Sequence, residues 1–233
     1  MRIVITGASR GLGAAFASLF AEKENSLFLC SRNEERLRAK QKELNQTSPG
    51  CSIHVRPADL SQPAEAKEWG EWVLSNGGAP DVIINNAGNF IMGNVSTEPE
   101  GALEEMIATN LYSAYHLTRT LLPSMKENKT GHIFNLCSIA SLQAYDNGGA
   151  YSISKFALYG FSKNLRKELM PFNIKVTHVI PGAVYTDSWK ESGVAPDRLM
   201  EPGDIAQLIK AASLLSPQAC VEEIIVRPVK GDL

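Results

Sequence analysis

The chain is poor in the residues that announce a special chemistry. Its 233 residues hold four cysteines, Cys30, Cys51, Cys137 and Cys220, and no two of them form a C-x-x-C pair. A chain of this length builds a core without staples, so these read as free thiols in a reducing compartment. The histidines, His54, His116, His132 and His178, show no H-E-x-x-H or comparable spacing, so no metal is expected. No apolar run is long enough to span a bilayer, and the "IVITG" after Met1 and Arg2 is too short for a secretory signal. The terminal "GDL" is neither a retention nor a peroxisomal signal. A net charge of -2 supplies no field that would draw the chain to nucleic acid or an anionic membrane. The expectation left standing is a cytoplasmic protein whose partner is a small molecule, with no nucleic-acid or membrane partner.

What the sequence does have is alternation. Short β-branched runs, "RIVITG", "SLFLCS", "CSIHVRPADL", "DVIINNAG", "GHIFNLCS", "IKVTHVIPG" and "EEIIVRP", are separated by helical patterns. Seven strands alternating with helices predict an α/β, doubly wound Rossmann fold: a seven-stranded parallel sheet with helices on both faces. Pro63 and Pro99 are each placed as the first turn of a helix. The stretches "TSPG" at 47–50 and "SNGGAP" at 75–80 read as turns, and 101–125 reads as one long helix. No linker, repeat or low-complexity segment interrupts the pattern, so residues 1–233 are expected to form a single domain carrying both a cofactor and a substrate site.

The first strand runs into "TGASRGLG". Gly7, Gly11 and Gly13 permit a tight turn, a close approach to a pyrophosphate and close helix–strand packing, with Ser9 and Leu12 between them. The helix that follows faces such a phosphate with its unpaired N–H groups and the positive end of its dipole. The spacing is G-x-x-x-G-x-G, not the general G-x-G-x-x-G. The second strand ends Cys30-Ser31-Arg32, with no carboxylate to hold a ribose hydroxyl, and Arg10 lies inside the glycine loop. Two guanidiniums suit a 2′-phosphate, so NADP(H) is expected over NAD(H). The rest of the basic stretch "RNEERLRAK" reads as a solvated helix face.

Late in the chain, "GGAYSISKFALYG" places Tyr151 and Lys155 on one helix face. That spacing alone does not separate a catalytic pair from a half-buried surface. The full set of motifs does: "TGASRGLG" at 6–13, "ADL" at 58–60, "NNAG" at 85–88, Asn110, Ser138, Tyr151-x-x-x-Lys155 and "PGAVYT" at 181–186. In this order and spacing they make the chain resemble the short-chain dehydrogenase/reductase family over nearly its whole length. The C-terminal half looks like the sepiapterin-reductase-like branch and departs from the branch with a "TG…DGG" tail.

The resemblance implies roles. Tyr151 would be the general acid/base toward a carbonyl oxygen. Lys155 would lower the phenol's pKa and bind the nicotinamide ribose, Ser138 would orient the carbonyl, and Asn110 would hold a water that links Lys155 to solvent. Asp59 and Leu60 would lie at the adenine, and Asn86, Ala87 and Gly88 at its ribose. Pro181, Gly182, Val184 and Thr186 would lie along the nicotinamide. Members usually pair through two long helices, here near 100–125 and 150–170, as homodimers or homotetramers.

For the substrate, Phe90, Met92, Leu142, Tyr145, Tyr185 and Trp189, with the loop "ESGVAPDRL", are the candidates to line a pocket. A pteridine carbonyl or small diketone is the leading expectation. A hydroxy acid, a 3-oxoacyl substrate or a non-catalytic dinucleotide sensor are the alternatives. Rival nucleophiles are weaker: Cys137 has no histidine near it in sequence, Ser141 does not end the strand, and "CSIAS" is not a G-x-S-x-G elbow.

Overall fold

Seven short β-branched runs pair side by side into one parallel sheet in the computed structural model, which describes residues 1–189 and 193–233. The strands are β1 (Arg2–Thr6), β2 (Ser26–Cys30), β3 (Ser52–Val55), β4 (Val82–Asn85), β5 (Gly131–Leu136), β6 (Ile174–Pro181) and β7 (Glu223–Val226), in the order β3-β2-β1-β4-β5-β6-β7. The helices are α1 (Gly11–Phe20), α2 (Glu34–Thr47), α3 (Pro63–Gly77), α4 (Ala102–Ile107), α5 (Ser113–Asn128), α6 (Gly149–Leu169) and α7 (Pro202–Ser213). Chain order reverses between β1 and β4. There the helices leave toward opposite faces and open a crevice beyond the strand ends.

Alternation within each strand builds two cores. Ile3, Ile5, Leu27, Leu29, Ile84 and Phe134 face Phe16 and Phe20 of α1 and Ile205 and Ile209 of α7. Val4, Phe28, Ile83, Ile133 and Val176 face Trp69 of α3, Leu117 and Leu121 of α5 and Leu165 of α6. Successive residues of a strand serve opposite faces, so the runs read as continuously apolar rather than alternating.

Three local expectations are corrected. Pro99 does not begin a helix: its carbonyl accepts from Ala102 N at 3.1 Å, and Gly101, at φ +85°, turns the chain before α4 starts. Residues 75–77 belong to the last turn of α3, and only the segment from Gly78, at φ +73°, breaks away. The long helix is interrupted by a π turn over Ala108–Tyr112, which separates α4 from α5 and carries Asn110. Among the described residues no helix is long and apolar enough to cross a membrane.

Candidate active site

The glycine loop works by close approach. Gly7 adopts φ +65°, and a Cβ there would lie 3.1 Å from Ala87 Cα. A Cβ on Gly13 would lie 2.1 Å from the Gly7 carbonyl oxygen, so α1 can start against β1 only with glycine at that position. Thr6 fastens the loop to the end of β4: its hydroxyl accepts from Asn86 N at 2.9 Å and from Ala87 N at 2.8 Å. Asn86 Nδ2 donates back to Thr6 O at 2.9 Å. No side chain caps α1, which leaves its first N–H groups aimed at the crevice.

One cavity of about 680 Å³ runs along the strand ends. It is lined by Gly7, Ser9, Arg10, Gly11, Leu12, Ser31 and Arg32, by Asp59, Leu60, Asn86, Ala87 and Gly88, and by Ser138, Tyr151, Lys155, Pro181, Gly182, Val184 and Thr186. Arg36 also lines it and escaped the sequence reading. Arg36 stands one helical turn beyond Arg32, within the stretch whose other charges read as a solvated helix face. Among the described residues neither Arg32 nor Arg36 has an ion-pair partner, whereas Arg10 meets Asp187 at 3.2 Å.

Lys155 and Tyr151 project from the first turns of α6 toward the end of β5. Lys155 is 7% exposed, and its Nζ donates to Leu136 O at 2.7 Å. Burial lowers its pKa to about 8. Tyr151 opens onto the cavity, with Phe90 edge-on to its ring at 4.8 Å. The expected lowering of the phenol by Lys155 is not what the structure gives. Burial pushes the Tyr151 pKa up, and the counteracting influence is the Ser138 hydroxyl. Lys155 Nζ lies 5.8 Å from the Tyr151 ring centroid and is turned to the Leu136 carbonyl, which explains the difference.

Ser138 lies two residues beyond β5 and caps a short 3-10 turn, its Oγ accepting from Ala140 N at 3.2 Å. Ser141 is spent in that turn, accepting from Ser138 N at 3.2 Å. Burial pushes the Cys137 thiol up to about 12, so it is a packing residue and no nucleophile. Asn110 is outside the cavity lining and 1% exposed. Its Nδ2 donates to Ser154 Oγ at 2.8 Å and to Asn89 O at 3.1 Å, and its Oδ1 accepts from Asn89 N at 2.8 Å. Its amide therefore ties the loop after β4 to α6, which sequence spacing could not show.

The substrate candidates divide. Phe90, Met92, Tyr145 and Trp189 line the cavity, together with Gln143, Asp146 and Asp232, which the sequence reading missed. Leu142 does not: it packs with Leu111 and Ile139 against Cys137 and Leu158. Tyr185 does not either, and faces a shallow depression with Ala14, Ser18 and Lys40. The loop "ESGVAPDRL" lies partly outside the described residues, which omit 190–192.

A nucleotide-sized crevice ending at a serine, a tyrosine and a buried lysine agrees with the matching family model, short chain dehydrogenase, which covers residues 1–196. The chain belongs to the short-chain dehydrogenase family. A sepiapterin reductase of Chlorobaculum tepidum is 33% identical over 239 residues, covering 99% of this chain and 97% of the relative. A metagenomic short-chain oxidoreductase solved in complex with NADP is 32% identical, with a TM-score of 0.85 over 98% of this chain and 97% of that one. An alcohol dehydrogenase from Thermococcus sibiricus, complexed with 5-hydroxy-NADP, is 28% identical, with a TM-score of 0.89 over 98% and 96%. This short-chain dehydrogenase is an oxidoreductase with a seven-stranded parallel sheet, as the alternation predicted.

Proposed function

We propose that this oxidoreductase interconverts a carbonyl and an alcohol using NADP(H), with Tyr151 carrying the proton. The observation that bears most weight is that one cavity is lined by Arg32 and Arg36 and also by Ser138, Tyr151 and Lys155. The residues fit the dinucleotide. Gly7 and Gly13 let the loop and the start of α1 pack tightly against the ends of β1 and β4, and the uncapped N-terminus of α1 offers free N–H groups to a pyrophosphate. Arg10, Arg32 and Arg36 hold a 2′-phosphate, and no carboxylate stands at the end of β2 to prefer a hydroxyl. Asp59 and Leu60 serve the adenine, Asn86 to Gly88 its ribose, Lys155 the second ribose, and Pro181, Gly182, Val184 and Thr186 the nicotinamide.

When bound, the cofactor supplies the hydride. This chain's own residues do the rest. Ser138 Oγ and Tyr151 Oη converge on the substrate oxygen and orient it. Tyr151 Oη gives its proton to that oxygen during reduction and takes it back during oxidation. A phenol held above its usual pKa stays protonated at neutral pH, so it begins as the donor. The Ser138 hydroxyl, the one group that offsets burial at the phenol, then stabilises the phenolate left behind, while Lys155 would hold the nicotinamide ribose. With the Asn110 amide committed to Asn89 and Ser154, a water relay to Lys155 falls to the Asn110 backbone in the π turn.

The substrate proposed is a planar, polar carbonyl compound such as a pteridine. Phe90, Met92, Tyr145 and Trp189 offer apolar faces, and Gln143 and Asp146 offer polar partners at the rim. The Chlorobaculum relative points the same way. A homodimer or homotetramer through α5 and α6 accords with the exposed Tyr112, Ile153 and Phe156 beside that face. The test is reduction of a panel of pteridines, diketones, hydroxy-acid precursors and sugars with NADPH and with NADH. The expected result is a pteridine or diketone preferred, with kcat/KM for NADPH at least about tenfold above NADH. Equal use of the two cofactors would overturn the arginine argument, and activity confined to hydroxy acids would overturn the substrate class.

A further inference from the structure

The helix that carries Tyr151 has no cap of its own. Gly148 precedes α6, and no side chain of that turn bonds its first N–H groups. The cap arrives from 52 residues earlier in the chain: Glu98 Oε2 accepts from Ala150 N at 2.9 Å. The same segment grips the turn before α6 twice more. Gly93 N donates to Asn147 O at 3.1 Å, and Asn147 N donates to Asn94 Oδ1 at 3.2 Å.

This contact exists only because two residues lack a Cβ. A Cβ on Gly149, where φ is +27°, would lie 2.3 Å from Glu98 Oε2 and 2.5 Å from Gly93 O. A Cβ on Gly93 would lie 2.8 Å from Glu98 Cβ. Four residues before Asn94, Phe90 sets its ring against Tyr151. The segment after β4 thus touches the reacting tyrosine from one side and holds the helix under it from another.

A carboxylate on a helix N–H gains twice, from the charge-assisted bond and from the positive end of the helix dipole. Ala150 immediately precedes Tyr151, so the group that pins the Ala150 amide also fixes the turn from which the phenol projects. We propose that Glu98 is a positioning residue for the reaction: its carboxylate, seated over Gly93 and Gly149, clamps the first turn of α6 and holds Tyr151 at the cavity. The inference rests on the reading of Tyr151 as the proton carrier. It adds that the geometry of that proton carrier is set from outside its own helix.

The experiment compares Glu98→Ala, Glu98→Gln and Tyr151→Phe with the parent enzyme. It uses NADPH and whichever of sepiapterin and 2,3-butanedione the parent reduces faster, alongside the dissociation constant for NADPH and the melting temperature. Glutamine keeps an oxygen of the same reach, whereas alanine removes it. The expected result for Glu98→Ala is a kcat lower by about ten- to a hundredfold, the cost of misplacing a reacting group by a fraction of an ångström to an ångström. NADPH affinity stays within about twofold, and Glu98→Gln recovers most of kcat because it restores the cap. A Glu98→Ala enzyme with parental kcat, or a Glu98→Gln enzyme as slow as Glu98→Ala, overturns the clamp while Tyr151→Phe stays inactive. An active Tyr151→Phe enzyme, or a parent that reduces neither compound, removes the underlying reading instead, and the clamp with it.

Discussion

At Lys155 two demands conflict. The proposed reaction keeps a cation at the site, and burial penalises that cation until its pKa falls to about 8. The compensation is a short bond to the Leu136 carbonyl at 2.7 Å. Because the depressed value belongs to the loss of the charged form, the ammonium is present below pH 8 and disappears above it. We therefore expect kcat/KM for carbonyl reduction to be flat near neutrality and to fall through a group titrating near pH 8. A profile level to pH 10 would show that the ammonium is not needed in the free enzyme.

At the scale of elements, the decisive contacts are those where backbone meets backbone. Gly13 lets α1 start on β1, and replacing it with alanine puts a methyl 2.1 Å from a carbonyl oxygen. Gly13→Ala is expected to destabilise the fold by about 3 kcal/mol or more and to abolish dinucleotide binding in whatever remains folded. Gly160, in the middle of α6 with nothing within 4 Å of its absent Cβ, is the contrast. Gly160→Ala should raise stability by about 0.5–1 kcal/mol in urea unfolding, and a loss there would contradict the packing described.

The elements themselves were readable from the sequence because each strand carries an apolar run and each helix a periodic one. Their interruptions were not. The π turn at Asn110 has no compositional mark, and Pro99 sits outside its helix because of Gly101 two residues on. The glycine loop, Ser138, Tyr151 and Lys155 were visible as motifs of residue type and spacing. Arg36 and Glu98 were not singled out, since a charged residue on a helix or loop looks solvated until the fold shows what it faces. Leu142 and Tyr185 failed for the converse reason, as apolar neighbours of a motif can point into the core as easily as into a cavity.

Over the whole molecule, the sheet separates chemistry at the strand ends from stability beneath them. Deep in the sheet, His132 is 4% exposed, its Nε2 meets Thr177 Oγ1 at 2.7 Å, and its Nδ1 has no partner among the described residues. Thr177 Oγ1 already donates to Val221 O at 2.6 Å, so the proton lies on Nε2 and the ring is neutral. Burial, aided by the Lys175 charge, lowers its pKa to about 3. The unfolded chain binds this proton from about pH 6.5 downward and the folded chain does not. His132 therefore contributes stability that is complete above pH 6.5 and is lost as pH falls toward 3, by at most about 1.4 kcal/mol per unit. Urea midpoints should fall across that window, and His132→Phe should flatten the slope. An unchanged slope would mean that other groups carry the acid sensitivity.

All of this supports one claim at the cavity, that Tyr151 moves the proton. Its most direct test is NADPH-dependent carbonyl reduction by Tyr151→Phe, measured beside its affinity for NADPH. Tyr145 also lines the cavity but has no lysine four residues on, so turnover should fall by at least about a hundredfold while NADPH still binds within about twofold of the parent. A phenylalanine enzyme that keeps more than a tenth of the parent's turnover would contradict the account.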